Sequence, residues 1–155
     1  RGVKVRPNGF VEGVSQEQTL EQIGGALRTC GKFAAEQGVE IWLEVHGRGT
    51  CEPRHIRTIL NHAGHPAVRA CWNSNPQDRD EQGHIVTNFG LLATAIGNVH
   101  INDLYRVEYP YRDLFCLLRA QGYAGYCLAE LGSGSSDPLT LMRYYRALFH
   151  ELQRP

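Results

Sequence analysis

The sequence predicts an α/β fold built on a parallel sheet. Two observations carry this. Stretches patterned as strands and stretches patterned as amphipathic helices alternate five times along the 155 residues, the order that a parallel sheet with crossover helices requires. The strand-like stretches also end in polar, chemistry-bearing residues, at the edge where sites are built in parallel α/β folds.

Each element has its own signal. Gly2 to Arg6 alternates as a strand does, and Pro7-Asn8-Gly9 breaks it. Ser15 and Gln18 stand three apart as a capping box. They open a helix in which Leu20, Ile23, Leu27 and Ala34 recur at helical spacing, running to about Gln37. Ile41, Trp42 and Leu43 form a short apolar run between Gly38 and Gly47, as in a strand covered on both faces. Pro53 suits the first turn of the next helix, which presents Ile56, Ile59, Leu60 and Ala63 and closes at Gly64. A third strand covers residues 67–72 and runs into Asn73-Ser74-Asn75-Pro76. After a polar loop, a helix is expected over 88–96, with Phe89, Leu92 and Ile96 on one side and Gly97 as its stop. Residues 98–101 read as a fourth strand, 111–120 as a fourth helix ending at Gly122, and 125–129 as a fifth strand. Asp137 as N-cap and Pro138 behind it start a last helix to about Leu152. Its inward residues are expected to be Leu139, Met142, Tyr145, Leu148 and Phe149.

Composition narrows the function. Residues 1–155 are expected to form a single domain, since nothing of low complexity divides them. Sixteen basic residues balance sixteen acidic ones, so no charge surplus favours nucleic acid or a membrane surface. No apolar stretch is long enough to span a bilayer, and none reads as a signal peptide. The five cysteines are scattered without a C-x-x-C pair, which suits reduced thiols in a cytoplasmic protein. The chain runs straight from Arg1 into a strand pattern, which suggests that a preceding part is missing. Neither a Gly-rich dinucleotide turn nor a phosphate-loop lysine motif follows the first strand.

The strand ends supply Glu44 with His46, Asn73 with Asn75, His100 with Asp103, and Glu130. Glu44 and His46 stand two apart on one strand and so share a side. A buried carboxylate must be paired or bound to a metal. Two carboxylates, an imidazole and an amide oxygen suit a divalent cation such as Mn, Co, Mg or Zn. A plainer alternative pairs Glu44 with Arg6 or Arg69. Asn73 and Asn75 can equally cap a turn, and His46 can simply bond to backbone.

Four segments carry a family resemblance: Leu43-Glu44-Val45-His46-Gly47, Cys71-Trp72-Asn73-Ser74-Asn75, Val99-His100-Ile101-Asn102-Asp103, and Gly122-Tyr123-Ala124-Gly125-Tyr126 leading to Glu130. In that order they resemble the xylose isomerase-like barrels, the broad family of sugar-phosphate isomerases and epimerases. The resemblance implies the last five of eight β/α units, an incomplete (β/α)8 TIM-type barrel. It implies metal ligands at Glu44, Asn73, His100 and Glu130, with the two glutamates as acid and base in proton transfer next to a carbonyl. It implies substrate contacts from Arg106, and we assign His46 and Asn75 to the same role. The expected substrate is a sugar or sugar phosphate. Partners would be the missing N-terminal strands or a second copy of the chain, because Val3 to Val5 and Cys127 to Ala129 would otherwise be unpaired edges.

The sequence departs from the family where an aspartate is usual and Asn73 stands, and where a histidine is usual and Pro76 stands. The uncharged amide predicts weaker metal binding, or a vestigial site on a binding protein without turnover. Ser133 to Ser136, ahead of the last helix, offers either a phosphate cradle or a flexible loop.

Overall fold

Local capping starts the longest helix. In the structure, a computed structural model that describes residues 1–132 and 134–154, Ser15 Oγ accepts from the Gln18 backbone N–H while Gln18 Oε1 accepts from the Ser15 N–H. That reciprocal pair opens α1 (Gln16–Glu36). Strand β1 (Gly2–Val5) precedes it, and β2 (Glu40–Glu44) follows. Then come α2 (Pro53–Ala63), β3 (Val68–Trp72), α3 (Val86–Leu92), β4 (Ile96–Ile101), α4 (Tyr111–Ala120), β5 (Cys127–Ala129) and α5 (Pro138–Leu152). The five strands form one sheet in the order β1-β2-β3-β4-β5, and every neighbouring pair is parallel. This is five β/α units of an open, barrel-type sheet. β1 and β5 are its edges, as the alternation predicts.

The two faces of the sheet differ in chemistry. One carries the core against the helices, where Leu43, Ile59, Ala70, Trp72, Val99 and Leu114 are fully buried. α1 comes close to α2 because Gly24 lies at the contact. A β-carbon there would stand 2.8 Å from the Ile59 carbonyl oxygen. The other face is polar. Alternation along the strands puts Lys4, Glu40, Trp42, Glu44, Arg69 and Asn73 on it. At its amino-terminal end the Trp42 indole lies across Gly2 and Gly97, and its Nε1 donates to Glu40 Oε2 at 2.7 Å.

Four expectations change. The helix expected over 88–96 ends at Leu92, a 3-10 turn (Ala93–Ala95) follows, and Ile96 and Gly97 belong to β4. Phe89, Leu92 and Ile96 are all buried, so an apolar spacing spread over helix and strand imitated one helix face. The fifth strand starts at Cys127, not residue 125, because Tyr123 Oη closes a tight turn onto the Tyr126 carbonyl at 2.8 Å. Leu139 and Met142 are exposed, at 62% and 44%, and α5 packs instead through Tyr145, Leu148, Phe149 and Leu152. Arg69 does not reach Glu44; it pairs with Glu40 at 3.4 Å. All five cysteines are free, and burial pushes the Cys71 and Cys127 thiols up to about 11. Among the described residues, no helix is long and apolar enough to cross a membrane.

Candidate metal centre

The carboxyl ends of β2, β3, β4 and the residue after β5 converge on one imidazole. Glu44, on β2, is fully buried. His100, on β4, is buried too, and Glu130 follows β5 with its backbone N–H donating to the Ile101 carbonyl at 2.9 Å. Nδ1 of His100 lies 3.2 Å from Asn73 Oδ1, 3.4 Å from Glu130 Oε2 and 3.5 Å from Glu44 Oε1. One N–H can serve only one of these three acceptors well. Ligand atoms of Glu44, His100 and Glu130 all lie within 4.8 Å of one another. This mixed oxygen and nitrogen set, with the Asn73 amide oxygen beside it, fits a divalent cation.

Backbone and second amides fix the geometry. Ser74 adopts φ 53°, and its Oγ donates to the His100 carbonyl at 2.9 Å, tying the end of β3 to β4. Asn75 accepts from Asn73 Nδ2 at 3.1 Å and donates its own Nδ2 to the Val45 carbonyl. Asn73 therefore turns its oxygen toward His100. Asn75 acts on the centre through Asn73, and its amide is spent on protein partners. His46 stands half-buried outside the group around His100, its carbonyl accepting from Thr50 Oγ1 at 3.0 Å. Arg106 is solvent-exposed, with Nη2 at 3.7 Å from Asp103 Oδ2. It lines a cleft of about 520 Å³ together with Arg79, Asn102, Asp103, Tyr109 and Glu130. Ser133 lies outside the described residues; Ser135 Oγ donates to the Asp137 carbonyl and accepts from its backbone N–H, at the start of α5.

Of the two cations on Glu44, Arg6 is a partner the sequence offers, and Lys4 reads there only as strand alternation. Lys4 Nζ and Arg6 Nε both contact the Glu44 carboxylate, at 3.1 and 2.9 Å. Burial works against the charged form of Glu44, but these two cations outweigh it and hold its pKa below the ordinary 4.5. The signal was present: two cations two residues apart on the strand next to Glu44 must face the same way. A second buried carboxylate, Asp78, was hidden in a polar loop. Its Oδ2 accepts from Tyr109 Oη at 2.9 Å and from the Asn75 N–H at 2.7 Å, while Trp72 Nε1 donates to Tyr109 Oη at 2.9 Å. Among the described residues Asp78 Oδ1 has no partner. With only neutral donors, burial pushes the Asp78 carboxyl up to about 7.

Known proteins share this arrangement of strands. The chain superposes on 3-keto-D-glucoside 4-epimerase from E. coli with a TM-score of 0.70 at 21% identity, covering 92% of this chain and 56% of that one. D-allulose 3-epimerase from Methylomonas sp. gives 0.64 at 19% identity, over 84% of this chain and 48% of that one. D-psicose 3-epimerase from Clostridium cellulolyticum H10, solved with D-tagatose, gives 0.64 at 16% identity, over 95% and 57%. At such identities the likeness is one of fold, and the chain spans about half the length of these structures. Among curated proteins none matches the chain in sequence. The family model of the xylose isomerase-like TIM barrel matches residues 3–148, taking in β1 from Val3, the other four strands whole and every residue that meets at His100. The chain belongs to the xylose isomerase-like TIM barrel family.

Proposed function

We propose that the chain carries the metal centre of a sugar isomerase or epimerase, acting on a free or phosphorylated ketose by proton transfer at the carbon next to the carbonyl. The observation that carries this is the gathering of Glu44 Oε1, Asn73 Oδ1 and Glu130 Oε2 around His100 Nδ1. Glu44, Asn73, His100 and Glu130 would hold the cation. When bound, it supplies a Lewis acid for the negative charge that develops on substrate oxygens.

The residues divide the remaining work. Glu44, ionised by its cationic neighbours, is fixed as a proton acceptor at the floor of the site. Glu130 is half-exposed and borders the cleft, so it can give or take a proton there. Arg106 and Asn102 line the same cleft and can orient sugar oxygens. The open edges of β1 and β5 are where further strands of a closed barrel, or those of a second copy, would pair and complete the pocket.

The epimerases whose fold it shares support this reading. Its test is exchange of the carbon-bound hydrogen of ketoses in D2O, followed by proton NMR with Mn or Co added, beside elemental analysis of bound metal. Exchange that disappears in Glu130→Gln, together with loss of metal in Glu130→Ala, is the expected result. No exchange with any ketose and no bound metal would overturn it. The alternative, a binding protein with a vestigial site, is favoured by one observation: Lys4 and Arg6 already neutralise Glu44 while Asn73 adds no charge. Asn73→Asp separates the two. It tightens Mn binding by about tenfold in a working centre and changes nothing in a relic.

A further inference from the structure

The two cations on Glu44 do not touch it in the same way. Arg6 Nε donates to Oε2 alone, at 2.9 Å. Lys4 Nζ lies 3.1 Å from Oε1 and 3.1 Å from Oε2, so its ammonium straddles the carboxylate. Oε1 is the oxygen that faces His100 Nδ1. Lys4 therefore stands on the one Glu44 oxygen that the proposed cation needs, and Arg6 grips the other.

Charge makes the conflict sharp. Glu44 and Glu130 bring two negative charges, Lys4 and Arg6 two positive ones, and Asn73 none. An ammonium and a divalent ion cannot share one carboxylate oxygen without strong repulsion. We propose that Lys4 is a built-in counter-ion: it keeps buried Glu44 satisfied in the empty centre and leaves Oε1 when a divalent cation enters. This rests on the metal-centre reading above. Arg6 stays on Oε2 as a positioning residue and keeps Oε1 aimed at His100. Lysine suits exchange, since its compact head rides on a flexible stem. The Lys4 side chain is 30% exposed, so water is at hand for the released ammonium. A cation must outcompete that ammonium, which favours ions that also gain from the imidazole nitrogen, Mn, Co or Zn, over Mg.

The full chain contains only two lysines, Lys4 and Lys32, and Lys32 is exposed. Reductive methylation read by peptide mass can therefore follow Lys4 with Lys32 as internal reference, while calorimetry measures Mn binding. Lys4 methylation is expected to rise relative to Lys32 as Mn is added. Lys4→Met should bind Mn about tenfold tighter, and Arg6→Met should change it by no more than about threefold. Mn binding of equal strength in the unaltered chain and Lys4→Met, with Lys4 labelling flat, overturns the exchange while leaving the centre standing. Equal tightening in both variants also overturns it, because net charge alone would then be responsible. Absence of Mn binding in every form overturns the exchange and the metal centre together. Should Lys4→Met not fold, labelling of the unaltered chain decides by itself.

Discussion

Glu44 and Asp78 are both fully buried carboxylates, yet they sit on opposite sides of their ordinary pKa. Glu44 meets two cations, Lys4 on β1 and Arg6 just after it, and is held low. Asp78 meets a phenol and a backbone N–H and is pushed up to about 7. Burial works against the charge of both; at Glu44 two cations outweigh it, while at Asp78 the larger desolvation prevails over Tyr109, the Asn75 N–H and Arg79. Around Glu44 the protein keeps a buried charge beside His100. Around Asp78 it uses a carboxyl to join the loop after β3 to the loop after β4 through Tyr109 and Trp72.

The largest effect expected is at Glu44. Glu44→Gln removes the negative charge and one of the two acceptor oxygens that Lys4 and Arg6 meet, and should lower unfolding stability by about 2–4 kcal/mol at pH 7, measured in urea. Because the folded pKa of Glu44 lies below 4.5, its contribution is complete above that value and is lost as pH falls through the lower folded one. The variant should lack this acid limb. Asp78 works in the other direction. Its folded pKa is raised from 3.8 to about 7, so the folded state holds the extra proton and stability declines as pH rises across that window. Asp78→Asn keeps an acceptor for Tyr109 and should remove the decline, stabilising the protein by about 1–3 kcal/mol at pH 8. A variant that still declines across that window would break the contrast between the two carboxylates.

Smaller changes sharpen it. Tyr109→Phe leaves the Trp72 indole N–H without its acceptor and Asp78 with the Asn75 N–H as its remaining donor. It should cost about 1–2 kcal/mol and move the Asp78 transition to higher pH, read from the same urea series. Asp137, an exposed N-cap that accepts from the Thr140 N–H, is the control carboxylate. Asparagine caps equally well, so Asp137→Asn should give the smallest shift in thermal midpoint and leave Mn binding unchanged.

How much of this was legible follows from distance along the chain. Signals carried within a few residues read true: the Ser15–Gln18 box, Pro53 at the start of α2, Asp137 and Pro138 at the start of α5. Position at the strand ends also placed Glu44, His100 and Glu130 on a common edge, whereas side-chain parity put His46 beside Glu44 although β2 stops at Glu44. Pairings across strands did not read as well. Arg6 and Arg69 look alike in sequence as partners for Glu44, and only register separates them: β1 brings Arg6 up to Glu44, while Arg69 stands opposite Trp42 and reaches Glu40. Asp78 was unreadable because its partner Tyr109 lies 31 residues away, in another loop. Leu139 and Met142 misled because helical spacing marks an apolar stripe without saying which part of it meets the sheet.

The Trp42 indole that lies across Gly2 and Gly97 ties three positions into one heritable unit. A methyl group at Gly97 would come within 2.8 Å of the indole nitrogen, and one at Gly2 would collide with the ring. Neither glycine can drift to alanine while the tryptophan remains, and a smaller residue at position 42 would leave both strands a hollow to fill. Among descendants of this sequence, these sites on β1, β2 and β4 should therefore be exchanged as a set, although they lie as far as 95 positions apart (97 − 2).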